Sequence, residues 1–161
     1  MRSAIACSMT VIALCVGLAL TTSSAQEAGG SSHGGQIEGT WRVQVTLRNC
    51  QTGAEIRTFP AILTFAVGGT LTGTSTVLPP SLRNGDFGIW QYDGHRSYSA
   101  VSEAFLFNGG AWSQTQRITQ AITLSQDANT LSSDAHTEFF DTSGNLLSSG
   151  CATATATRMS F

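Results

Sequence analysis

Val101, Glu103, Phe105 and Phe107 alternate along one stretch of the chain. In extended backbone, residues two apart share a face, so this spacing sets one carboxyl among three apolar side chains. A carboxyl so placed suits general acid–base chemistry, or it anchors a polar atom of a ligand. The competing placement is in water or against an arginine. Gln114, Gln116, Ile118, Gln120 and Ile122 form a second alternation. If the isoleucine face is interior, Gln116 and Gln120 orient a ligand's polar atoms, or they satisfy interior backbone groups or each other. Arg117, on the opposite face, is then a surface charge. Trp90 and Tyr92 share a face beside the run Pro79-Pro80-Ser81-Leu82-Arg83-Asn84-Gly85. Aromatics beside a long loop line a cavity mouth, or simply pack.

Asp134, His136 and Glu138 also share a face, and their donor atoms are of metal-binding type. The other face carries Leu131, Ala135 and Phe139, which has the character of a core. The trio therefore faces water, and no metal is expected. His95 falls in a turn. No Ser/His/Asp set, cysteine nucleophile or phosphate-cradling glycine loop has a matching context, and no cofactor is expected.

The elements that must hold these residues are strands. No segment has a helical period; Thr, Ser, Val and aromatics fill the stretches between turn signals. Strands are expected over 39–48, 55–66, 70–78, 87–92, 97–108, 112–124, 130–141 and 146–159. The first alternates Trp41, Val43, Val45 and Leu47 against Arg42, Gln44, Thr46 and Arg48. Pro60 marks an irregularity in the second. Gly68-Gly69, Asp93-Gly94, Gly109-Gly110 and Ser143-Gly144 supply tight turns. Short links make an antiparallel up-and-down meander. Closing it into an eight-stranded barrel removes two exposed edges.

The N-terminus is charged, then apolar from Ala4 to Leu20, then small at Ser23-Ser24-Ala25. This pattern reads as a secretory signal peptide over 1–25. A Gly/Ser-rich flexible leader is expected over 26–36, and one domain over 37–161. The protein is expected to be exported, periplasmic or extracellular, with no membrane insertion after signal cleavage. Charge is sparse: eight basic residues, all arginine, against ten acidic ones. No basic cluster points to nucleic acid. Cys7 and Cys15 leave with the signal peptide, and Cys50 and Cys151 remain where disulfides persist. Opposed positions in an antiparallel pair have residue numbers with a constant sum; for these cysteines it is 201. A disulfide would then join the first and last strands. Free thiols, or a bond tacking two loops, are the alternatives.

Gly39-Thr40-Trp41 at the head of the first strand resembles the Gly-x-Trp signature of the lipocalin and calycin superfamily. The resemblance implies that Trp41 closes one barrel end and that an arginine from near the chain's end, here Arg158, packs across it. Trp41 and Arg158 sum to 199, close to the cysteine value. The runs Arg48-Asn49-Cys50-Gln51-Thr52-Gly53 and Gly150-Cys151-Ala152-Thr153-Ala154-Thr155 are similar to those of small exported bacterial proteins with lipocalin-like barrels. The chain is shorter than standard lipocalins and lacks their C-terminal helix. The avidin family is a neighbour with a similar opening, but its ligand-contacting pattern has no counterpart here.

Three functions follow. The first is a binding barrel for a small hydrophobic or amphipathic molecule, with Trp90, Tyr92, Phe105 and Phe107 supplying surface and Glu103, Gln116 and Gln120 polarity. The second is a cyclase- or isomerase-type enzyme using Glu103 as its acid–base residue. The third is a protein-interaction module, such as a protease inhibitor, with a filled barrel. The balance of residues leans away from an enzyme.

Overall fold

The structure, a computed structural model, describes residues 34–161. The expected signal peptide, and the leader as far as residue 33, lie outside the described residues. A 3-10 turn at Gly34–Ile37 precedes eight strands: β1 (Gly39–Arg48), β2 (Glu55–Ala66), β3 (Thr70–Ser75), β4 (Asp86–Gly94), β5 (Ser97–Asn108), β6 (Ala111–Leu124), β7 (Thr130–Asp141) and β8 (Leu146–Arg158). They form one closed antiparallel barrel in chain order. The fold is therefore the eight-stranded up-and-down barrel that the alternation implied.

Closure follows one register. The β1–β8 ladder runs from Trp41 opposite Arg158 to Arg48 opposite Cys151 without a shift. Cys50 sits two residues beyond the last rung and bonds Cys151, with their Cα atoms 5.2 Å apart. That offset accounts for the difference between the two sums. Five strand ends differ from expectation, β6 beginning and β8 ending one residue early. β3 stops at Ser75 because the chain leaves the sheet toward Pro79-Pro80, which have no amide hydrogens for a ladder. β4 begins at Asp86, one residue earlier than alternation alone suggested, and runs two residues beyond the expected end, to Gly94.

Backbone demands fall at two places. The β4–β5 hairpin turns on His95 and Arg96, with φ of 51° and 67°. Both central residues are thus left-handed, the conformation that matches the twist of a two-residue hairpin. At Gly88, a Cβ would come within 2.1 Å of the Val101 carbonyl oxygen. β4 and β5 therefore approach where only glycine fits.

The core fills one end of the barrel. Ile37, Trp41, Phe65, Leu71, Tyr98 and Leu124 are fully buried there. The Trp41 indole Nε1 donates to the Ile37 carbonyl at 2.9 Å. The Arg158 guanidinium carbon lies 4.3 Å from the Trp41 ring centroid. Its Nε donates to the Ala128 carbonyl at 2.8 Å, and its two terminal nitrogens donate to the carbonyls of Glu38 and Gln36. Phe65, Trp90, Tyr98 and Tyr92 form a chain of tilted ring contacts, with successive centroids 6.2, 5.9 and 5.2 Å apart. This packed end is the floor of the barrel.

Candidate functional site

The inward faces of β1, β7 and β8 grade from buried to half-buried, whereas on β4 and β5 the same end stays closed, with Asp86 and Ala104 buried. Along β1, Trp41 and Val43 are buried while Val45 and Leu47 are half-buried. Along β7, Leu131 and Ser133 are buried while Ala135, Thr137 and Phe139 are half-buried. Along β8, Ala156 is buried while Ala154 and Ala152 are half-buried. These strands share a trend: side chains facing the interior become accessible toward the end that carries Cys50 and Cys151. The barrel is a cup, with its floor at Trp41 and its mouth at the disulfide. Its inward faces carry many small residues, Gly88, Ala100, Ser102 and Ala104, then Gly150, Ala152 and Ala154, while the Leu63 side chain fills the space over Gly73.

Three neighbouring strands place polar side chains midway down this cup. Ser102 of β5, Gln120 of β6 and Ser133 of β7 are only 2%, 8% and 7% exposed. Gln120 lies opposite Ala100 and Ala135. Ser102 is one inward position toward the mouth, and Ser133 one toward the floor, so the three form a diagonal arc. Such diagonal neighbours stand about 7–8 Å apart. None of the three side chains makes a hydrogen bond to another described residue. Yet among the described residues no sealed side-chain nitrogen or oxygen lacks a partner. The Gln120 amide and the two hydroxyls therefore each keep a little accessible surface on the inward side. From Ser133 the register continues through Ala154 and Val45 to Phe59, an apolar wall.

A second polar group lies nearer the mouth. Residues 76–85 link β3 to β4, and their last part runs along β5. The Asn84 amide donates to the Phe105 carbonyl at 3.2 Å, the Phe107 amide donates to the Leu82 carbonyl at 2.9 Å, and Arg83 bridges Leu106. This pairing turns the Arg83 side chain inward. It meets Asp86 in a two-pronged contact of 2.5 and 3.2 Å, with both side chains buried. Arg83 Nε also donates to Gln116 Oε1 at 2.8 Å, and Gln116 Nε2 donates to Thr137 Oγ1 at 3.0 Å. Loop, β4, β6 and β7 are thus tied through the interior, and the ion pair is internally neutral.

Of the residues anticipated from sequence, Gln116 and Gln120 face the lumen, on the isoleucine face. Gln116 is engaged by Arg83 and Thr137; Gln120 is not. Glu103, Phe105 and Phe107 are corrected to the outer wall. Opposite Trp90 and Tyr92 stand Ala100 and Tyr98, so β5 turns Tyr98, Ala100, Ser102, Ala104 and Leu106 inward and the other set outward. A one-residue offset exchanges every side chain between faces. Glu103 accepts from Arg117 at 2.7 Å, with both side chains nearly half exposed. Phe105 packs edge-on against Trp112 at 5.9 Å, and Phe107 lies opposite Trp112 past a bulge. Trp90 and Tyr92 do face inward, but at the floor rather than the mouth, because β4 descends from the loop. Asp134, His136 and Glu138 lie on the outer wall, where Glu138 stands opposite Arg117.

Arg83, Asp86, Ser102 and Ser133 were not anticipated. Asp86 had a signal: the two-residue period of Trp90 and Tyr92 extends back through Gly88 to Asp86. Ser102 shares the face of Ala100 and Ala104. Arg83 had none, since its orientation depends on a loop pairing with β5.

Electrostatics at the floor follow burial. The Tyr98 hydroxyl is held above the usual tyrosine range, chiefly by burial and then by nearby Tyr92, with Ile37's backbone hydrogen bond and Arg158 pulling the other way. Burial lowers the Arg158 guanidinium. Outside the barrel, two open grooves of about 600 and 650 Å³ flank Arg42. They are walled by threonines, serines and prolines of the outer face, and neither is lined by any of the buried polar residues. The lumen is the candidate site. No protein-family model matches the chain, and no curated protein matches it in sequence.

Proposed function

We propose that this protein is an exported, lipocalin-like barrel that holds one small amphipathic molecule in its lumen. The observation that carries the reading is the inward arc of Ser102, Gln120 and Ser133, whose side chains have no hydrogen-bond partner among the described residues, in a barrel packed at its Trp41 end and half-buried along β1, β7 and β8 at the other. A barrel evolved only to be filled would bury apolar side chains there, because an unmatched polar group in an interior costs free energy. An eight-stranded barrel has room for one small ligand. The Cys50–Cys151 disulfide agrees with an exported location, where such bonds persist. Glu103 serves no lumen chemistry from the outer wall, so the acid–base alternative loses its residue.

The test is titration of the neutral fluorophore N-phenyl-1-naphthylamine into the oxidised chain. One molecule should bind per chain with a blue-shifted emission, and Ala154→Trp, which fills the lumen, should abolish binding. Absence of binding, or binding indifferent to Ala154→Trp, overturns the reading. A second reading, a protein-interaction module, has one observation behind it. Phe87, Ile89, Val101, Phe105 and Trp112 are exposed together on the outer wall of β4, β5 and β6, and grouped exposed apolar residues mark contact surfaces.

A further inference from the structure

We infer that the polar end of the ligand is an uncharged amide, a primary carboxamide or a lactam, paired edge to edge with the side chain of Gln120. The inference rests on the lumen-binding reading and adds to it the ligand's chemical class. A glutamine amide presents an acceptor and a donor side by side in one plane. The group that satisfies both at once carries a donor beside an acceptor in the same order. Primary amides and cis-amides of lactams do so; esters, ethers and ketones offer acceptors alone.

The flanking residues fit the same group. Ser102 and Ser133 sit diagonally on either side of Gln120, one mouthward and one floorward. A hydroxyl both donates and accepts, so one can reach the second lone pair of the ligand carbonyl and the other a remaining N–H. Two of the inward arginines are already engaged, and the third, Arg57, stands exposed on β2, across the barrel wall from Gln120. Arg83 is neutralised by Asp86 inside the cup. Arg158 is held at the floor by three carbonyls and the Trp41 ring. A carboxylate or ammonium beside Gln120 would lose its hydration without a counter-charge, which costs far more than a neutral amide does. The body of the ligand is apolar, since the wall that continues from the arc is Ala154, Val45 and Phe59.

The experiment displaces N-phenyl-1-naphthylamine from the full oxidised chain with one decyl series: decanamide, methyl decanoate, decanoate and decylamine. Decanamide should bind about tenfold more tightly than methyl decanoate, the gain from the extra hydrogen bonds, and more tightly still than either ion. In Gln120→Leu the affinities of decanamide and methyl decanoate should converge. The double variant Ser102→Ala/Ser133→Ala should narrow the gap severalfold, and it serves as the second variant if Gln120→Leu does not fold. If the fluorophore binds but decanamide holds no advantage in the natural chain, or the advantage survives in Gln120→Leu, the amide inference is overturned and the lumen reading stands. If decanoate binds best, the inference is overturned in favour of a carboxylate ligand. If the fluorophore does not bind, the lumen reading fails and takes the inference with it.

Discussion

Arg158 lies across the Trp41 ring, 4.3 Å from its centroid, where the two residues form the floor-end rung of the β1–β8 ladder. Gly39 makes the approach possible. Its φ is +123°, and a Cβ there would stand 2.9 Å from an Arg158 terminal nitrogen. The planar guanidinium stacks and donates to three carbonyls at once, and a lysine ammonium cannot reproduce this geometry. Arg158→Lys should therefore lower stability by roughly 2 kcal/mol, the value of charge-assisted hydrogen bonds. Urea unfolding checks it: an unchanged midpoint would mean that charge alone, not the fork, holds the floor.

The Arg83–Asp86 pair is an interior contact with both partners buried. Removing one leaves the other charge uncompensated, at roughly 3–5 kcal/mol, whereas removing both is far milder. Arg83→Met and Asp86→Leu should each destabilise strongly, and the double variant should recover most of the loss. A double-mutant cycle reads the coupling directly. Additive losses would mean that the two side chains act separately.

Alkaline pH should act through Tyr98. Its folded pKa is raised above the ordinary value of 10.0. The unfolded chain releases this proton first, so stability is full below pH 10 and falls as pH rises through the folded value. The slope from one such group is at most about 1.4 kcal/mol per pH unit. Tyr98→Phe should remove that slope, measured as unfolding free energy against pH; a slope unaltered in the variant would assign it to another group.

Reduction of Cys50–Cys151 should lower stability by up to about 4–5 kcal/mol, since the bond closes a sequence separation of 101. The floor should persist, because Trp41 and its contacts lie at the other end. Near-UV circular dichroism from the buried aromatics should survive reduction while N-phenyl-1-naphthylamine affinity drops. Loss of the aromatic signal on reduction at room temperature would contradict this division.

The strands were legible because most of them carry apolar and polar residues on opposite faces, as Trp41, Val43, Val45 and Leu47 do on β1. β6 was readable for the same reason, and it yielded Gln116 and Gln120. β5 was not. Both its faces are largely apolar, and choosing the bulkier set, Val101, Phe105 and Phe107, fails because the inward set holds the small residues Ala100, Ser102 and Ala104. The face was recoverable from the neighbour: Trp90 and Tyr92 face inward, and their register with Ala100 and Tyr98 fixes β5. Trp90 and Tyr92 themselves were read on the correct face but at the wrong end, because closeness to a loop in sequence says nothing of which way a strand descends. Arg83 lay beyond pattern altogether. Its orientation comes from a tertiary pairing between loop and β5, which no local period encodes.

Near Trp41 the strands are held by packed rings; at the other end Arg83, Asp86, Gln116 and Thr137 tie β4, β6 and β7, and the β1–β8 seam lies outside those contacts. That seam carries a covalent clasp instead. Cys50–Cys151 fastens the β1–β8 seam from the outward side, so it reinforces that end of the barrel without taking up any of its interior.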